Sequence, residues 1–226
     1  MTHARPKAWM SWSSGKDSTF GLHVVRSAGD VEVVALVTTV NTTADRVAMH
    51  AVRRVLLEAQ ADAVGLPVHV VELPSPCPNE VYEQRMSNIV RAAADAGVAH
   101  MVFGDLFLAD IRAYREQQLA GTGLSPMFPL WQRPTDVLAR EMLSAGIRAV
   151  VTCIDPSQAP PGLAGRWFRR ELPRPAASGD RPVRGELRVS HVRRGRTRVP
   201  LPSGCRGGGG RGTGRVRVRR RGPDVS

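Results

Sequence analysis

The segment AWMSW-SSGKDS-TFGLHVV, residues 8–25, passes from an apolar run (8–12) through Ser13, Ser14, Gly15, Lys16, Asp17 and Ser18 into a helix-like pattern (19–25). A strand that ends in small residues and opens a helix gathers free backbone N–H groups, and the positive end of the helix dipole, around one point. That point favours an anion. Lys16 adds a mobile charge, and the hydroxyls of Ser13, Ser14 and Ser18 add donors that a phosphate can use. The longer glycine-framed loop that ends in Gly-Lys-Ser/Thr is excluded, because Asp17 follows the lysine and the loop is too short.

Working outward, Phe20, Leu22, Val24 and Val25 give the helix over 17–26 its apolar face, and Gly29 lies in the segment that ends it. The mostly β-branched run at 31–39 reads as a strand buried on both sides. After polar Asn41, Thr42 and Thr43, the spacing of Val47, Val52, Val55, Leu56 and Ala59 predicts a helix over 44–64, stopped by Gly65 and Pro67. Residues 68–73 form the third expected strand. Pro74, Pro76 and Pro78 then impose a loop, and Asn79 is placed to cap a helix over 80–96.

The fourth expected strand, 100–103, ends at Gly104 and Asp105, and a charged helix follows at 110–118. Residues 127–131 read as a connector. Pro134 suits the first turn of a helix that runs to Ala145, and 148–154 reads as a fifth strand closed by Asp155 and Pro156. Alternation of this kind predicts an α/β fold with a doubly wound parallel five-stranded sheet. Ligands of such sheets bind beyond the carboxyl ends of the strands, near the point where strand order reverses. The 13–18 loop, Thr38 to Asn41, Gly104, Asp105 and Asp155 are therefore expected along one edge.

The formal net charge of +12 does not belong to this pattern. Residues 1–172 carry 17 Lys and Arg against 17 Asp and Glu; the whole chain has 32 and 20, which leaves 15 and 3 for 173–226. Basicity is thus no argument for a nucleic-acid-binding fold, and any such partner would meet the tail alone. Cys77, Cys153 and Cys205 are widely separated, no secretory signal is read at the start, and no apolar run reaches the roughly 20 residues of a membrane span. A cytoplasmic protein with no membrane partner is expected. Cys77 reads as a structural thiol, since no basic partner is identifiable.

Several segments carry a resemblance. The loop is similar to the pyrophosphatase loop (PP-loop) of the N-type ATP pyrophosphatases, with Ser14 in place of a glycine. MHAVRRVLLEAQADAVGLPV from Met49, FGDLFLADIRAYREQQL from Phe103 and MFPLW from Met127 resemble the diphthine–ammonia ligase family and its bacterial relatives. The resemblance covers about 9–167 and implies the doubly wound PP-loop fold, as in the adenine nucleotide alpha hydrolases. It further implies an enzyme that splits ATP between its α and β phosphates, carries an acyl group as an acyl-adenylate and lets ammonia displace AMP.

On that basis ATP is expected at Ser13, Ser14, Gly15, Lys16, Asp17, Ser18, Thr38, His50 and Gly104. Lys16, Asp17 and Asp105 are the expected catalytic groups, and Asp17 and Asp105 are the carboxylates nearest Mg2+. Asp110, Arg112, Arg115 and Glu116 are expected to meet a carboxylate substrate or phosphate, although a solvated helix face with i,i+4 pairs has the same spacing. His50 fits a nucleotide contact or a partly buried structural histidine. Two other functions keep the loop: an adenine-nucleotide-binding protein without ligase activity, and a PP-loop enzyme that modifies RNA.

Beyond residue 172 the resemblance stops. Residues 173–226 lack Lys, Ile, Phe, Tyr, Trp, Asn, Met and Gln and are expected to be disordered. An arginine-rich arm for RNA is one reading. A frameshift is the other: RPVRGELRVSHV, 181–192, can be encoded so that moving one base forward reads DPCGENSEFPT, similar to the Asp-Pro-Cys-Gly-Glu-Asn segment of the same family. Resequencing the DNA before residue 181 tests this, and an intact single frame contradicts it.

Overall fold

The computed structural model describes residues 4–152 and 161–168. Asp155 and the tail at 173–226 lie outside the described residues, and so do most of the positions expected to end the fifth strand. Within them the chain runs β1 (Lys7–Ser11), α1 (Lys16–Ala28), β2 (Glu32–Asn41), β3 (Arg46–Val47), α2 (Arg54–Val64) and β4 (Val68–Leu73). It continues through α3 (Asn79–Asp95), β5 (Val98–Val102), α4 (Ala109–Leu119), β6 (Ser125–Met127) and α5 (Thr135–Ser144) to a 3-10 turn at Pro161–Leu163.

One sheet holds all six strands. Its parallel part has the order β4-β2-β1-β5-β6, and the two-residue β3 adds antiparallel to the far end of β2. The chain builds outward from β1 through β2 to β4, then crosses back to β5 on the other side of β1. Strand order therefore reverses between β1 and β5, and the crevice of a doubly wound sheet opens at their carboxyl ends.

Burial follows from the alternation of side chains along each strand. Met10, Trp12, Leu36 and Val40 face α1 and α2, where they meet Leu22, Val25, Leu57 and Ala61. Trp9, Val37, Val71 and Met101 face the opposite layer, where they meet Val90 and Ala93 of α3 and Leu119 of α4. A third cluster joins Phe20 of α1 to Leu138 and Met142 of α5 and to Leu130 and Phe168. Burying each of the large aliphatic side chains contributes about 1.5–3 kcal/mol.

Four expectations are corrected. The helix expected over 44–64 begins only at Arg54. Asn41 Oδ1 accepts the N–H groups of Thr43 and Ala44 at 3.0 Å, which folds the chain back so that Val47 pairs with Val40. Val47 is therefore a core residue of β3 and Val52 packs partly buried beside it, while Val55 and Leu56 on α2 are 63% and 50% exposed. The fifth parallel strand is β6, which lies just before the connector expected at 127–131 and shares only Met127 with it. Among the described residues, 148–152 join no strand of the sheet, and Val150 meets Trp167 in an antiparallel bridge. Asn79 is the first residue of α3 and Pro78 its cap, with no side-chain capping bond. Pro134 likewise stands at the cap of α5 rather than in its first turn.

Candidate nucleotide site at the strand ends

β1 is tied to β2 to its last turn, with Trp12 N–H donating to Val37 C=O at 2.6 Å. Beyond it the chain turns sharply: Ser14 has φ +61° and Gly15 caps α1 with φ −99° and no side-chain capping bond. A non-glycine residue in the left-handed region costs about 1 kcal/mol or more, so the surrounding contacts must hold Ser14 there. Ser18 does so from the first turn of the helix. Its Oγ accepts from Ser13 N–H at 3.3 Å, lies 3.1 Å from Ser13 Oγ and donates to Gly15 C=O at 3.0 Å. Thr19 Oγ1 donates to the same carbonyl at 2.9 Å.

Ser13 and Ser18 are thus structural members of the loop. Ser14 Oγ, by contrast, is buried with no partner. Among the described residues the N–H groups of Lys16 and Asp17 also meet no acceptor, as the orphan donors of a helix start. Lys16 Nζ lies 2.5 Å from Asp17 Oδ1, with side-chain exposures of 8% and 17%.

Two contacts close the loop from either side. A methyl group at Gly15 would lie 2.5 Å from His50 Nε2, so the loop and the turn that follows β3 approach each other only because residue 15 is glycine. Burial lowers the pKa of His50 below 6.5; Asp17 opposes this and Lys16 adds to it. A methyl group at Gly104 would lie 3.0 Å from both Asp17 C and Ser18 N, so the end of β5 rests on the first turn of α1. The reversal of strand order has brought these segments together.

The other expected site residues are distributed as follows. Thr38 is buried on the α1 and α2 face of β2, and its Oγ1 has no partner. Asp105 Oδ2 receives Arg115 Nε at 2.6 Å, and Arg112 Nε donates to Glu116 Oε1 at 2.7 Å. Asp110 is exposed in the first turn of α4 and joins no ion pair among the described residues. Asn41 is spent on its own turn.

Sequence reasoning missed the aromatic partners of α4. Phe103, Phe128 and Trp131 hold Arg115 and Arg112 over their faces, and the rings of MFPLW were the visible signal for Phe128 and Trp131. It also missed Tyr82 and Tyr114. Burial is the main cause that raises both phenols, Tyr114 to about 12, so both remain hydrogen-bond donors near Arg115.

The donor set can be tested against a nucleotide. Free N–H groups, the unpartnered Ser14 and Thr38 hydroxyls and a buried ammonium fit a polyphosphate and its nucleoside. Mg2+ is a leaner fit. Among the described residues no group of three His, Cys, Asp or Glu converges, but Asp17 and Asp105 stand at the two loops of the crevice. One or two carboxylates completed by substrate phosphates is the usual way this ion is held.

The family model described as the diphthamide synthase N-terminal domain matches residues 6–125 of the chain. No curated protein matches. Among solved structures, the U34-tRNA thiolase NcsA from Methanococcus maripaludis with its 4Fe-4S cluster is similar at 16% identity and a TM-score of 0.41. That alignment covers 62% of this chain and 57% of the thiolase, so this chain spans less than two thirds of that protein's length.

Proposed function

The chain belongs to the diphthamide synthase N-terminal domain family, whose members are PP-loop ATP pyrophosphatase-like enzymes, and from that premise we propose that it is an ATP-dependent carboxylate–ammonia ligase. The observation that carries the reading is the loop at the crevice: two unpaired N–H groups at the start of α1, a buried unpartnered Ser14 hydroxyl, and Lys16 held beside them by Asp17. The N–H groups, the hydroxyl and the ammonium favour a multiply charged anion, and the Asp17 carboxylate balances the ammonium until one arrives. Gly104 is pressed on the same helix turn, where a side chain would meet the backbone of Asp17 and Ser18.

In the first half-reaction a carboxylate oxygen of the substrate attacks the α phosphorus of ATP. The O–Pα bond forms, the bridge between Pα and Pβ breaks, and pyrophosphate leaves. Its new negative charge is met by oriented N–H dipoles and by Lys16, which need no reorganisation at that moment. In the second half-reaction ammonia attacks the acyl carbon, the C–O bond to AMP breaks, and the nitrogen gives up a proton to solvent.

The Lys16–Asp17 pair has a role before either step. It keeps both charges compensated while the loop is empty; a triphosphate takes the ammonium and leaves the Asp17 carboxylate for a cation. Asp17 and Asp105 would hold Mg2+, which when bound shields the phosphates.

The test is the full chain incubated with ATP, Mg2+, ammonium and a metabolite extract. AMP and pyrophosphate are expected in equal amounts, dependent on the extract, and Lys16→Met is expected to lower the rate by about 10²-fold or more. No AMP from the unaltered chain, with nucleotide still bound, would leave a nucleotide-binding protein instead.

A further inference from the structure

The outward face of α2 has no cover among the described residues. Val55, Ala59 and Ala63 recur every four positions along it with Leu56 beside them, on the side away from the buried Leu57 and Ala61. Val55 is 63% and Leu56 50% exposed, and Ala59 and Ala63 are exposed as well. Residues four apart lie above one another on a helix, so these side chains make one apolar strip.

The charges around the strip run against the helix that carries them. A helix start favours carboxylates and a helix end favours cations. α2 starts with Arg53 at its cap and Arg54 after it, has no acid in its first turn and no base in its last, and carries Asp62 in that last turn. Arg54 is compensated by Glu58 and Glu72. Arg53 and Asp62 are exposed and join no ion pair among the described residues. They stand nine positions apart, about 13 Å along the axis, and so cannot meet within one copy.

An antiparallel second copy satisfies both features. With a two-fold axis beside Ala59, Val55 and Leu56 of one helix come level with Ala63 of the other, large side chains against small, and the alanines at the crossing let the helices approach closely. The same register brings Arg53 of each copy within one turn of the partner's Asp62, at the negative end of the partner helix. A parallel copy would set Arg53 against Arg53. We propose that the exposed face of α2 is a homodimer interface, on which two copies pair α2 against α2, antiparallel and self-complementary. The helix has 11 residues and is about 16 Å long, so the patch is smaller than a permanent interface and the dimer is weak and concentration-dependent.

Sedimentation equilibrium of the full chain tests this. The parent is expected to pass from monomer towards dimer between about 1 and 200 μM. Val55→Asp breaks the strip while placing a carboxylate where the α2 dipole favours one, so the helix is kept, and it is expected to weaken dimerisation about tenfold or more. Arg53→Glu and Asp62→Lys are each expected to weaken it about fivefold or more, since each turns two attractive contacts into repulsive ones.

Mixed in equal amounts, the two charge variants are expected to regain the parent's association, because a heterodimer restores opposite charges at both ends of the helix pair. Recovery in the mixture also shows that both variants are folded. The proposal is overturned if the parent stays monomeric to about 200 μM, if the three variants dimerise as the parent does, which would place the interface on another face, or if the mixture associates no better than its components.

Discussion

At Gly15 a single hydrogen separates a working loop from a clash. Gly15→Ala would drive a methyl group to within 2.5 Å of His50 Nε2, and a forced contact of this sort costs about 1–3 kcal/mol. Because the atom it meets ends a side chain, His50→Ala should relieve much of that cost. In a double-mutant cycle read by thermal denaturation, the two changes are expected to couple by about 1 kcal/mol or more; additive changes would mean that the loop and the turn do not press on each other. His50 also carries a pH signature. Its folded pKa is lowered, chiefly by burial, so the folded chain binds fewer protons than the unfolded one below about 6.5. Its stability is accordingly complete above that pH and declines as pH falls through the lowered value. His50→Gln should lack this decline in a series of melting curves, and an identical acid limb in both proteins would contradict it. None of this could be read from the chain, where His50 follows Met49 in what looks like a helix; the contact depends on a turn that local spacing disguises.

Among the elements, α2 shows how that disguise works. Val47, Val52, Val55, Leu56 and Ala59 have helical spacing, yet Val47 is buried in β3 and Val52 partly buried in the turn after it, and the helix that follows buries Leu57 and Ala61 instead. Leu57→Ala should therefore destabilise the protein by about 2–5 kcal/mol, whereas Leu56→Ala, on the exposed side, should stay within about 0.5 kcal/mol. Denaturant titration of the two variants distinguishes the faces, and equal losses would restore the longer helix. β1, β2 and β5 were legible because parallel strands inside a sheet are written as mostly apolar runs, and the edge strand β4 because its valines lie between turn signals. β6 was not, since three residues that include Pro126 read as a break, and only an edge strand tolerates that. Residues 148–152 have the apolar composition of a strand without a place in the sheet, so composition alone overcounted there.

For the molecule as a whole, the reversal of strand order between β1 and β5 turns separate sequence signals into one site. The 13–18 loop and Gly104 are some ninety positions apart, yet the first turn of α1 touches both. Their meeting was legible because a doubly wound topology dictates where its ligands bind. The arginines of α4 were legible only as charged residues; the rings that face Arg112 and Arg115 come from the residue after β5 and from the segment after β6, whose pairing no local pattern announces. The 1–172 segment is electrically balanced, so under the proposed function a polyphosphate would be drawn to this crevice by oriented N–H groups and one lysine rather than by net charge. Cleavage between the α and β phosphates is the claim on which the remaining steps depend. ATP labelled at its α phosphorus, incubated with the full chain, Mg2+, ammonium and a metabolite extract and resolved by chromatography, tests it directly. The account predicts that the label appears in AMP, with none in ADP; label in ADP, from cleavage between the β and γ phosphates, would contradict it.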